Sequence, residues 1–425
     1  MEFTGDGPRT SALRTTKMIS LPKVTPGIEV FLEEHIDSVK SKRVGLITNP
    51  SGINSNGQST QSLFVNTPGI DLVALYGPEH GVRGDVQAGV SVAYERYPEL
   101  DIPVHSLYEQ PKKKHASPMD VDESMRSFDT VDEGKIVTPS MIENIDVLVF
   151  DIQDVGTRIY TYIATMAYAM QACAEHSKQF IVLDRPNPIN GIDMEGPILE
   201  YPEFSSFVGL YPIPVRHGMT VGELALFFNA NFLVRRTNLT VIPMKGWERT
   251  MWFDETGLPW SSPSPNMPSL DTAIVYPGQV FLEGTNVSEG RGTEKPFEFC
   301  GAPWIDETRL VTTLNGLELD GVNFRRIRFT PQFSKYSGQV CKGVYIHITN
   351  RACFSPFTTS LFIIRSIMDS HPEHFLFHAD YFDKIMGIAT VREGLEDHQD
   401  IPGIIERISS GLDAFLSLRK PYLIY

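Results

Sequence analysis

"IDVLVFDIQDVGTRIYTYIATMAYAMQACAEHSKQFIVLD", residues 145–184, sets the fold class. Two apolar runs, IDVLVFD (145–151) and QFIVLD (179–184), bracket an alanine- and methionine-rich segment of helical length at 160–178. Uninterrupted β-branched runs suit strands covered on both faces, because a strand with one wet face alternates polar and apolar side chains. Strand, helix and strand in immediate succession read as a βαβ unit, whose two strands lie parallel. RVGLIT (43–48), IDLVALY (70–76) and LTVIPM (239–244) supply further strands, and TVGELALFFNANF (220–232) a further helix. The expectation is an α/β fold built on a doubly wound parallel sheet.

Each of the first four runs ends in a polar, turn-forming loop: TNPSG (48–52), GPEHG (77–81), DIQDVGTR (151–158) and DRPNPING (184–191). Open parallel sheets bind ligands at the carboxyl ends of their strands, so four loops distant in sequence are expected to line one crevice. Within them, Glu79 and His80 sit between glycines. A carboxyl group on a tight loop beside such a crevice is partly desolvated, which raises its pKa and lets it deliver a proton near neutral pH. Asp151, Asp154, Asp184 and Asn187 are polar residues of the same rim, where an aspartate often caps a helix or holds an arginine. Arg83, Arg158, Arg185, Arg216 and Arg291 are candidate carboxylate clamps, since a guanidinium fork meets both oxygens at once. Glu223 follows Thr220 by three, the capping-box spacing, and reads as structural. His217 precedes that cap and either faces the crevice or packs beneath it.

Proline-rich LPWSSPSPNMPSLD (258–271) cannot continue a helix or a central strand and reads as a domain edge. It divides a catalytic domain at 25–268 from a smaller α+β domain at 269–425. The first twenty or so residues and 109–134 lack apolar periodicity and read as peripheral.

At 425 residues with 41% hydrophobic composition, the chain is long enough for more than one core. A net charge of −15 excludes a general nucleic-acid binder, which needs a basic surface. No apolar stretch is long enough to span a bilayer, so no membrane insertion is expected. The start lacks the apolar segment of an export signal and reads as cytoplasmic. Cys173, Cys300, Cys341 and Cys353 show no CxxC spacing and are expected as buried free thiols. No HExxH, paired-histidine or EF-hand spacing signals a metal, and no GxGxxG, P-loop or GxSxG motif occurs. No cofactor is expected.

The wording of the loops adds to their spacing. GLITNPSG (45–52), ALYGPEHGVRGDVQAG (74–89), DVLVFDIQDVGTRIYTYI (146–163), VLDRPNPING (182–191), SSFVGLYPIPVRHGMTVGELA (205–225), PSPNMPSLDTA (263–273) and EGTNVSEGRGT (283–293) resemble the bacterial exo-β-N-acetylmuramidase family. The resemblance runs from about Val44 to the C-terminus. It implies a Rossmann-like N-terminal domain, a smaller C-terminal domain completing the cleft, and release of non-reducing-end N-acetylmuramic acid from peptidoglycan fragments. The family's glutamate in GPEHG corresponds to Glu79, expected as general acid with His80 beside it. Asp154 or Asp151 is expected as base or electrostatic stabiliser, with the substrate's own 2-acetamido group as rival nucleophile. Residues expected to meet the sugar are Asn49, Arg83, Arg158, Asp184, Arg185, Asn187, His217, Glu289 and Arg291. The lactyl carboxylate gives an arginine reason to face the crevice, in the order Arg83, Arg158, Arg291. Many members carry an export signal, so a secreted or periplasmic location is the alternative to the cytoplasmic one. A metal-dependent hydrolase on the same crevice and a non-catalytic muramic-acid binder are the competing functions. The sequence leaves the oligomeric state open.

Overall fold

The computed structural model describes residues 24–84, 95–97, 101–108 and 137–425, with backbone alone at 95–97. The stretches read as peripheral lie outside the described residues, apart from the chain around residue 24, as does the 85–89 end of the GPEHG motif.

Strands β1 (Arg43–Thr48), β2 (Asp71–Gly77), β3 (Glu95–Tyr97), β4 (Ile102–Ser106), β5 (Val147–Asp151) and β6 (Gln179–Leu183) come first in the chain. After the short antiparallel pair β7 (Glu195–Ile198) and β8 (Pro214–Arg216) comes β9 (Asn238–Ile242). The main sheet has the order β3-β4-β2-β1-β5-β6-β9 and is parallel throughout except at β3. The chain winds outward from β1 through β2 to β4, then restarts at β5 on the other side of β1 and winds outward again. This is the doubly wound Rossmann-like order, with its switch point between β1 and β5. All five residues of β5 are buried, as the apolar run requires. Strand β4 was not among the runs read as strands, because Pro103 and His105 interrupt its apolar pattern.

Helix Tyr162–Glu175 joins β5 to β6 and buries nearly every side chain, which its small and flexible alanines and methionines permit. Helix Val221–Asn231 opens on the expected capping box: the Thr220 hydroxyl accepts from Glu223 N at 3.2 Å and Glu223 Oε2 accepts from Thr220 N at 3.0 Å. Beyond helix Leu270–Gln279 the chain forms an antiparallel sheet of β10 (Phe299–Ala302), β12 (Cys341–Ile348) and β11 (Val322–Phe329), flanked by helices. The largest apolar cluster runs unbroken from Ile47 in β1 to Phe415 in the last long helix. The C-terminus returns to the parallel sheet, where the Tyr425 hydroxyl donates to Asp184 Oδ2 at 2.7 Å. Cys173, Cys300 and Cys341 are buried free thiols, whereas Cys353 lies exposed, contrary to expectation. No described helix is long and apolar enough to cross a membrane.

Candidate functional site

The GPEHG loop folds back hard on the end of β2. The Pro78 carbonyl accepts from Gly81 N at 2.9 Å, and His80 takes a left-handed φ of 73°. At Gly77 a Cβ would stand 2.8 Å from Val82 N, so only glycine permits this return. The turn delivers Glu79 and His80 into a pocket, 5% and 6% exposed respectively. The Thr161 hydroxyl donates to Glu79 Oε2 at 2.8 Å.

Four further parts of the chain complete the pocket, the segment between β7 and β8 contributing Val208. The loop after β5 contributes Tyr160, Thr161 and Tyr162; the proline-rich segment contributes Ser264, Asn266 and Met267; the C-terminal region contributes Tyr276, Glu283, Arg291, Phe297 and Tyr381. Their rings pack edge to face, Tyr160 on Tyr162 at 4.8 Å, Tyr160 on Tyr276 at 5.7 Å and Tyr276 on Phe297 at 4.8 Å. Burial raises the pKa of the Tyr160, Tyr162 and Tyr276 hydroxyls, which therefore stay neutral.

One end of the pocket is charged. Arg291 Nη2 donates to Glu283 Oε1 at 2.6 Å, and its Nε stands 3.4 Å from Glu289 Oε1. Burial alone lowers the pKa of that guanidinium, but the facing Glu283 and Glu289 outweigh it and raise it above the usual arginine value. Tyr381 donates to Glu283 Oε2 at 3.1 Å, and Lys335 Nζ to Glu289 Oε2 at 3.1 Å. Glu289 therefore stands behind Arg291 rather than on the pocket lining.

The four loops do meet on one rim, but only two of them line the pocket. Asn49 donates to the Pro263 carbonyl at 3.0 Å and accepts from Ser51 N at 2.9 Å, tying the proline-rich segment onto the end of β1. That segment is thus packed into the site, and the reading of it as a domain edge missed Ser264 and Asn266. Asp151 and Arg185 form a buried bidentate pair, Nε to Oδ1 at 2.6 Å and Nη2 to Oδ2 at 2.9 Å, and neither lines the pocket. Arg158 is likewise bonded internally, off the pocket lining. Its two Nη atoms donate to the carbonyls of Pro197, Ile213, Ile385 and Met386, stapling the N- and C-terminal regions together, and burial pushes its pKa down to about 9. Asp184 accepts from Thr220 and Tyr425 hydroxyls and from Gly222 N. Asn187 bridges Ile189 N and the Met219 carbonyl. Arg216 is another internal brace, bonded to Glu195, Asp193 and the Ile189 carbonyl. Arg83 is exposed on the loop beyond Gly81 and lies off the pocket lining.

Asp154 and His217 lie buried off the lining. Asp154 Oδ2 accepts from Gly156 N at 2.8 Å and stands 3.7 Å from His217 Nε2, while His217 Nδ1 accepts from Met219 N. His217 therefore packs under the rim. Thr161, Asn266, Tyr276, Glu283 and Tyr381 were missed. Glu283 and Tyr276 fall inside or beside quoted motifs, but nothing local in Tyr381 marks it, since long-range packing alone brings it to the pocket. Among the described residues, no three His, Cys, Asp or Glu side chains gather to hold a metal ion.

Known proteins are similar to this chain in sequence and in fold. The N-terminal domain family described as "Exo-beta-N-acetylmuramidase NamZ, N-terminal" matches residues 44–129 and 118–271, and its C-terminal counterpart matches 274–425. A Bacillus subtilis (strain 168) protein, "Peptidoglycan beta-N-acetylmuramidase NamZ", is 48% identical over 405 residues, covering 95% of this chain and 92% of that protein. Two DUF1343 family crystal structures from Bacteroides fragilis NCTC 9343 are similar in fold. BF0371 has a TM-score of 0.82 at 36% identity and BF0379 one of 0.71 at 28%, each match covering 95% of this chain and 99% of the other.

Proposed function

Because this chain belongs to the NamZ exo-β-N-acetylmuramidase family, we propose that it is a glycoside hydrolase that releases non-reducing-end N-acetylmuramic acid from peptidoglycan fragments, with Glu79 as general acid. One observation carries the residue assignment: a glutamic acid buried in an aromatic pocket at the carboxyl edge of the sheet, with its carboxyl oriented by Thr161.

Cleavage of a glycosidic bond needs a proton on the departing oxygen and support for an oxocarbenium-like centre. Glu79 supplies the proton. The negative charge then left on its carboxylate is met by the Thr161 hydroxyl and by the N-terminus of helix Tyr162–Glu175, which Thr161 precedes directly. Glu283 is the second carboxylate of the pocket. Both its oxygens already accept hydrogen bonds, so it acts as a fixed negative charge facing the developing cation rather than as an attacking group. Asp151, committed to Arg185, takes no part. Arg291 is the guanidinium of the pocket lining, and we assign the lactyl carboxylate to it.

The test is Glu79→Gln, which removes the acid and keeps the shape. Release of a chromogenic aglycone from an N-acetylmuramic acid β-glycoside is expected to vanish while the thermal melt is unchanged. Retained turnover removes Glu79 from the reaction.

A further inference from the structure

Asn266 has an unusual environment. The residue is 5% exposed and lines the pocket, and its Nδ2 is shielded from solvent without donating to any acceptor. Native proteins leave few buried donors in that condition. A buried donor without an acceptor inside a ligand pocket marks the place where the ligand supplies one. Tyr160 is a second, weaker case: it is 8% exposed on the same lining, and its hydroxyl is shielded from solvent with no acceptor at good hydrogen-bond geometry, the Ser264 and Tyr162 hydroxyls being its close polar neighbours among the described residues. The lining of the same pocket also carries the apolar Met267 and Ile159, chain neighbours of Asn266 and Tyr160.

Two neutral donors and apolar surface in one pocket describe what an N-acetyl group requires, a carbonyl oxygen accepting and a methyl group covered. The other strong acceptor on a muramic acid, its lactyl carboxylate, carries a full charge. Tyr160 already lies within the negative field of Asp154, so an anion at its hydroxyl would be buried against like charge. The lining guanidinium, Arg291, is grouped instead with Glu283 and Tyr381.

We propose that Asn266, together with the Tyr160 hydroxyl, holds the carbonyl oxygen of the substrate's 2-acetamido group, and that selectivity for the N-acylated sugar is set there. This rests on the glycosidase reading above. A site built around buried donors discriminates strongly against a ligand lacking the acceptor, because those donors are then left unpaired.

The test compares three aryl β-glycosides on the full chain: N-acetylmuramic acid, its de-N-acetylated form, and N-acetylglucosamine. Asn266→Ala is expected to lower kcat/KM on the two N-acetylated glycosides by about 10- to 100-fold, the effect of deleting one buried hydrogen bond, and to leave the de-N-acetylated one nearly unchanged. Where turnover of that glycoside is too slow to follow, inhibition constants of muramic acid and N-acetylmuramic acid give the same contrast. Tyr160→Phe, which opens no cavity, should shift selectivity in the same direction should Asn266→Ala melt early. An equal loss on all three glycosides, or a loss that follows the lactyl group, overturns the assignment while the glycosidase reading stands. A wild-type chain that turns over none of the three overturns both.

Discussion

Thr161 donates a 2.8 Å hydrogen bond to Oε2 of Glu79, joining two loops 82 residues apart in the chain. Thr161 occupies the N-cap position of helix Tyr162–Glu175, where a threonine hydroxyl ordinarily accepts from a backbone N–H of the first turn. Here it makes no such cap, and its hydroxyl points to the carboxyl group instead. A hydrogen bond to an ionised group contributes about 1.5–3 kcal/mol. Thr161→Val is therefore expected to lower kcat about tenfold or more with little change in KM, and Thr161→Ser to restore most of it. An unaltered kcat in Thr161→Val would show that this bond does not serve the reaction.

The parallel sheet was legible because β1, β5 and β6 are largely buried apolar runs whose burial dictates their composition, while β9 at the edge is only partly buried. The rim was legible too, since turn-forming polar residues follow each strand. What could not be read was the division of labour on that rim. Aspartates with different internal partners look alike in sequence: Asp151 and Asp154, neither of them on the pocket lining, differ by the distant partners that reach them, Arg185 in one case and His217 in the other. Glu283 and Tyr381 enter the pocket through folding of the C-terminal region, which no spacing near GPEHG announces.

The Asp151–Arg185 pair gives a direct check on that division. Both side chains are buried and joined through two hydrogen bonds. Removing one partner of such a pair leaves a buried charge uncompensated, at about 3–5 kcal/mol. Asp151→Asn is expected to lower the denaturant midpoint by a corresponding amount, while the folded fraction keeps kcat within a few-fold of wild type. A collapse of kcat with unchanged stability would return Asp151 to the chemistry.

Asp184 links pH to the attachment of the C-terminus. Burial, the largest influence, raises its pKa to about 6; the donors Gly222 N, Tyr425 and Thr220 pull it down, and neighbouring Glu223 pushes it up. A carboxyl whose folded pKa lies above its unfolded value of 3.8 contributes stability that is fully present below about pH 4 and lost as the pH rises through about 6. Asn at this position keeps one acceptor oxygen for the backbone N–H groups and turns its amide to the two hydroxyls, which can accept. From pH 4 to 7.5, wild type should therefore lose up to about 3 kcal/mol relative to Asp184→Asn, measured by urea unfolding at each pH. Parallel pH dependences in the two proteins would show that Asp184 does not titrate in this window.

His80 separates backbone from side chain. Its φ of 73° is a region where glycine is at ease and a side chain is strained by about 1–2 kcal/mol. His80 lines the pocket next to Glu79 in the chain, so the turn carries a strained residue on the pocket lining. His80→Gly and His80→Ala remove the ring equally, but only the former relaxes the turn. The glycine variant is thus expected to unfold at higher urea than the alanine variant, by about 1 kcal/mol, while both lose about 100-fold in kcat, the lower end of what a positioned acid–base group contributes. Full activity in His80→Gly would reduce His80 to a turn residue and leave Glu79 oriented by Thr161 without its help.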